Sequence, residues 1–172
     1  MAQSLESLTR EELIELLEIT AKDLIALDGT WFQSLEREQG MDTAMEHDRA
    51  AWRRFVPSEA RRLKKLLNLP DGCGLAGLAA ALPLRCTSLA NEWEILWEDD
   101  GAALVFRITD CRVQNARARK GMEFHPCKSV GELEYAGFAA ALDDRIHCEC
   151  VSCFPDLTDN TCNCAWRFQM EG

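Results

Sequence analysis

A chain of 172 residues with 47% apolar and 28% charged residues can bury a real core and is too apolar to stay disordered. Its formal net charge of -10 argues against general nucleic-acid binding, which needs Lys and Arg clustered against phosphates. No apolar run reaches the ~18 residues of a membrane helix. The opening MAQSLESLTREELIELLEI has no basic start and is interrupted by Glu11, Glu12, Glu15 and Glu18, so it does not read as a signal peptide. The expected location is cytoplasmic, where thiols stay reduced, and an odd count of nine cysteines cannot pair completely within one chain.

The first half reads as helices. Thr9 to Glu12 (T-R-E-E) is a capping box, and Leu13, Leu16, Leu17, Leu24 and Leu27 recur at helical spacing. Asp28-Gly29 predicts a break, followed by a second helix over 31–39 that ends at Gly40. A third helix is predicted from Asp42 toward Asn68, with Pro57 expected to kink or divide it. A short Leu/Ala helix follows from Leu75 and stops before Pro83. Trp93, Ile95 and Trp97 then alternate with polar or outward positions, Asp99-Asp100-Gly101 marks a hairpin turn, and 103–109 returns as a strand. Ser129 to Glu132 (S-V-G-E) reads as a second capping box opening a helix to Asp143, and 145–151 and 164–168 read as two further strands. The expected fold is α+β, a single domain over 1–172: N-terminal helices (1–83) packed on an antiparallel sheet, with an intervening helix in the Cys-rich second half (84–172).

The stretch CECVSCFPDLTDNTCNC, 148–164, holds five of the nine cysteines. Side chains alternate along strands, so thiols from its two ends can converge. Cys127, Cys150, Cys153 and Cys164 are the candidate metal set. Four thiolates suit zinc, or less favourably an iron–sulfur cluster, with Cys111 and His125 as neighbouring donors. The chain has only one C-x-x-C, and the metal-free alternative is that these cysteines pack as small buried hydrophobes. A redox role for Cys150 and Cys153 is disfavoured because C-V-S-C follows a strand and lacks a helix dipole to lower a thiol pKa. Cys73 and Cys86 read as structural.

Asp48 falls between Met45 and Trp52 on the apolar stripe of the third helix, where a carboxylate needs a partner. Asp28, Phe32 and Glu36 share one line at i, i+4 and i+8. Asp48 and Glu36 are therefore the candidate catalytic acid/base pair. The alternative has Asp28 capping a helix and Glu36 in a rim ion pair with Arg53 or Arg54. His47, about 100° around the helix from Asp48, is expected to be exposed. R-V-Q-N-A-R-A-R-K, 112–120, gathers four cations. If the strand continues through it, Arg117 and Arg119 share a face and can grip an anion, unless they are consumed by internal ion pairs.

These pieces carry a resemblance. D-G-T-W-F at 28–32, Glu36, G-M at 40–41, A-M-E-H-D at 44–48, Trp52, C-R-V-Q-N-A-R at 111–117, Cys127-Lys128, C-V-S-C-F-P-D at 150–156 and C-A-W-R-F at 164–168 are similar to an uncharacterised family of bacterial and archaeal cytosolic proteins. That family is related to the aminothiazoline-carboxylate hydrolase-like proteins. The resemblance implies hydrolytic opening of a small sulfur–nitrogen ring bearing a carboxylate. Asp48 or Glu36 would act as base, Arg117 would bind the substrate carboxylate, and Trp31 and Trp52 would wall the site. Expected partners are a small anionic molecule and a second copy in a homodimer, with no nucleic acid and no membrane. The competing expectation is a non-catalytic binding or sensor module with a structural metal or buried free thiols.

Overall fold

The computed structural model describes residues 4–170. Helix α1 spans Arg10–Gln39. Its start is the expected capping box: the Thr9 hydroxyl accepts the Glu12 N–H at 3.1 Å, and the Glu12 carboxylate accepts the Thr9 N–H at 2.7 Å. Asp28-Gly29 does not break the helix. A glycine inside a helix costs only about 1 kcal/mol, and burial of Ile25 and Phe32 on either side offsets it. Gly40, at φ 85°, ends α1 and turns the chain directly into α2, Met41–Leu66. Pro57 lies inside α2 without dividing it, with Val56, Glu59 and Ala60 buried around it. The two helices run antiparallel, packed through Phe32, Ala44 and Met45.

After α3, Gly74–Ala81, strands β1 (Glu92–Glu98) and β2 (Ala103–Asp110) form the expected hairpin. Strand β2 does not continue through 112–120, so the condition for Arg117 and Arg119 to share a strand face is not met. Helix α4, Arg112–Arg119, begins where Asn163 Oδ1 accepts the Cys111 N–H at 2.9 Å and Asn91 Oδ1 accepts the Arg112 N–H at 2.7 Å. These side chains take the donors a neighbouring strand would have used, and Arg, Gln and Ala favour helix. Helix α5, Lys128–Leu142, begins at Cys127, whose carbonyl accepts the Gly131 N–H at 2.8 Å. The Ser129 capping box does not form, and the Ser129 hydroxyl accepts from Arg49 at 3.3 Å. Strands β3 (Ile146–Cys153) and β4 (Cys164–Met170) complete an antiparallel sheet of order β1-β2-β4-β3. The fold is α+β, and no described helix is long and apolar enough to cross a membrane.

One face of the sheet builds the core. Leu104, Phe106, Trp166 and Phe168 pack against Val56 and Ala60 of α2, Leu78 of α3 and Phe138 and Leu142 of α5. Helix α5 sits very close at its first turn: a Cβ on Gly131 would overlap the Trp166 indole. Gly131→Ala must therefore push the helix off the sheet. It should destabilise the fold by about 1–3 kcal/mol, read as a lower urea midpoint with an unchanged slope.

Candidate functional site

A cavity of about 130 Å³ lies where α1, α2 and the start of α5 meet the ends of β2, β3 and β4. Its wall includes Asp28, Asp48, Trp52, Arg117, Glu134 and four cysteines, Cys111, Cys127, Cys153 and Cys164. Two local devices put the thiols there. Cys127 is the residue from which α5 starts, so its sulfur stands at the positive pole of a helix. In β3, a bulge between Cys150 and Ser152 shifts the register, so Ser152 pairs with Ala165 and Cys153 pairs with Cys164. A regular strand would put Cys150 and Cys153 on opposite faces, and the extra residue returns Cys153 to the helix-facing side.

Gln114, 1% exposed, fixes the segment carrying Cys127. Its Oε1 accepts the His125 N–H at 2.9 Å, and its Nε2 donates to the His125 carbonyl at 2.9 Å and to the Cys127 sulfur at 3.3 Å. His125 packs on Phe32, ring centroids 4.6 Å apart, and its Nε2 lies 3.4 Å from Asp48 Oδ2. Its Nδ1 is buried without a directed hydrogen bond among the described residues, yet the ring and the Cys127 sulfur are close enough to shift each other. Burial pulls the imidazole down, but interactions with Asp48 and Cys127 overcome it and raise the group to about 9. Cys127 moves the other way. The Cys153 thiol donating to its sulfur at 3.9 Å, and then His125, lower it to about 5 against the cost of burial. Both shifts favour a thiolate–imidazolium pair, with the Asp48 carboxylate against the imidazole. Cys153 is correspondingly raised, first by its bonds to Cys127 and Cys164 and then by burial.

The remaining acids differ in kind. Asp28 is exposed at the cavity mouth; crowding by protein, and then the Asp48 charge, raise it to about 6. Glu134 is buried and raised to about 7 by desolvation. Its Oε1 lies 2.8 Å from the Arg85 guanidinium but off the hydrogen-bond direction. Arg85, fully buried, also bonds Glu59 at 3.0 Å and stacks over Phe138 at 4.5 Å.

The structure regroups the residues expected from sequence. Asp48 and Trp52 line the cavity. Glu36 and Arg117, expected as base and anion clamp, hold each other in a two-pronged ion pair at 2.8 Å, and Arg117 also donates to the Glu123 carbonyl. That corrects both roles: a paired carboxylate is a poor base, and a filled guanidinium fork has little left for a ligand. Trp31, 72% exposed, walls nothing and is corrected likewise. His47 is exposed as expected. Of the expected metal set, Cys127, Cys153 and Cys164 share the cavity and Cys150 does not line it. Among the described residues no group of three or more His, Cys, Asp and Glu is arranged to hold a metal ion, and all nine cysteines are free thiols. Gln114 and Glu134 were not foreseen. The legible hint for Cys127 was F-H-P-C-K followed by helix-forming residues, a cysteine at a helix start.

Arg117 is 2% exposed, so removing its partner strands a charge. Glu36→Ala should cost about 3 kcal/mol or more in urea unfolding. The double variant Glu36→Ala/Arg117→Met should be the more stable of the two, because it leaves no unpaired ion.

No curated protein and no solved structure matches the chain. Residues 6–170, nearly its whole length, match a family described as a family of unknown function, DUF6125. The chain is a member of the DUF6125 family.

Proposed function

We propose that the protein is a small-molecule hydrolase that uses Cys127 as nucleophile and acts on a planar carbon of amidine type, N–C(=N)–X, with X nitrogen or sulfur. The observation that carries this reading is one arrangement: a cysteine at a helix start, beside a histidine backed by Asp48, lining one cavity. The Cys127 sulfur would form a bond to the carbon. As the C–X bond breaks, the leaving atom takes the His125 proton. Water then adds to the same carbon, giving its proton to His125, and the C–S bond breaks to regenerate the thiolate and release a carbonyl product. Gln114 Nε2 donates to the Cys127 sulfur and so favours it as a thiolate, both as nucleophile and as leaving group.

The charge of the wall selects the substrate class. Its arginine is already paired with Glu36, while Asp28 and Asp48 add carboxylates to the same wall. That environment suits a neutral or cationic N–H-rich group. Opening of a sulfur–nitrogen ring, as the kinship to aminothiazoline-carboxylate hydrolase-like proteins suggests, is one reaction of this type. The reading places the protein in the cytosol, where nine free thiols persist.

An affinity label tests it. Chloroacetamidine should alkylate Cys127 much faster than chloroacetamide does, and Asp28→Asn/Asp48→Asn should erase the preference. Equal rates, or an inert Cys127, would sink the reading. The rate should rise with pH about a midpoint near 5, because the thiolate is the reactive form; an ordinary thiol would show it near 9. Turnover of a cognate substrate should hold between about 5 and about 9. It falls below as Cys127 gains a proton and above as His125 loses the one it must donate.

A further inference from the structure

Cys127 has a second thiol against it that the hydrolytic reading does not use. The Cys153 S–H points at the Cys127 sulfur across 3.9 Å, and the backbones are tied beside them, the Lys128 N–H donating to the Phe154 carbonyl at 2.9 Å. The pair joins the residue that precedes α5 to the end of β3, 26 residues apart in sequence, and both cysteines line the cavity. Cys153 also interacts with Cys164, whereas Cys150, its sequence partner in C-V-S-C, does not line the cavity.

We propose that Cys127 and Cys153 are a peroxide-reactive pair, forming a disulfide across the cavity floor and withdrawing the nucleophile reversibly. A small hydroperoxide enters the cavity and the Cys127 sulfur attacks its terminal oxygen. The S–O bond forms, the O–O bond breaks, and hydroxide or alkoxide leaves, so the sulfur is oxidised to sulfenic acid and the peroxide is reduced. The Cys153 sulfur then attacks the Cys127 sulfur. The S–S bond forms, and the hydroxyl departs as water with the Cys153 proton. A dithiol reductant returns the disulfide to two thiols by exchange, itself leaving as a cyclic disulfide. Closure needs the sulfurs to approach from 3.9 Å to about 2 Å, within reach of side-chain rotation and a small shift of the α5 start. Cys164, opposite Cys153 in the sheet, is the competing partner.

This inference shares the Cys127 sulfur with the proposed hydrolysis, but its test does not depend on turnover. The reduced protein is exposed to stoichiometric hydrogen peroxide, alkylated under non-reducing conditions and mapped by mass spectrometry. Expected is a mass loss of two hydrogens, a linked peptide joining Cys127 to Cys153, and full recovery of both thiols with dithiothreitol. Cys153→Ser should instead accumulate sulfenic acid on Cys127, trapped by dimedone. A link between Cys153 and Cys164, or Cys127 still reduced after treatment, overturns the proposal. Loss of amidine labelling with an intact Cys127–Cys153 link would refute the hydrolase reading alone.

Discussion

The close seat of α5 on the sheet governs everything at the site. With only hydrogen on Gly131, the helix can rest against Trp166, and that distance sets where Cys127 stands relative to the end of β3. A wider gap would leave the two sulfurs out of contact and open the cavity to bulk water. Water would screen the His125–Asp48 interaction and let the Cys127 thiol relax toward ordinary behaviour. The packing of one glycine therefore supports a chemical property several residues away. Gln114 supports it from the other side, since its amide spans both His125 backbone groups and also reaches the sulfur.

Two charged clusters flank this centre and divide the work. Arg117 with Glu36 ties α4 to α1, and Arg85 with Glu59 and Glu134 ties the segment after α3 to α2 and α5. Both guanidiniums are buried beside carboxylates; removing a partner would strand a charge, so the pairs fix how the helices meet. The groups that remain for chemistry are those whose environments push them apart: a thiolate made easier to form, an imidazolium made harder to lose, and a carboxyl at the mouth held near neutrality. The same low-dielectric wall accounts for both the pairing and the reactivity.

Free cysteines elsewhere behave as ordinary packing residues. Cys148 faces the core and is raised to about 12 by burial, and Cys86 is raised by burial and by the neighbouring Glu59. Their contrast with Cys127 rests on position. A sulfur at the start of a helix, with a donor thiol, an amide and an imidazole around it, is stabilised as an anion; a sulfur among hydrocarbon is not.

Local pattern alone determined the α+β class, the capping box at Thr9, the hairpin of β1 and β2, and the apolar stripe that carries Asp48. Each depends on residues within one turn or one strand, where propensity and periodicity act directly. The tertiary structure decided the rest. Asp28-Gly29 and Pro57 read as breaks, but burial on both sides outweighs their local cost. Nothing in the local pattern stops β2 from running on through 112–120; Asn91 and Asn163, distant in sequence, take the backbone donors where α4 starts. Arg117 reads as free until α1 brings Glu36 to it. Cys153 reaches the site only through a bulge that no spacing rule announces, because which strand residue is left unpaired depends on the partner strand and the helix packed above it.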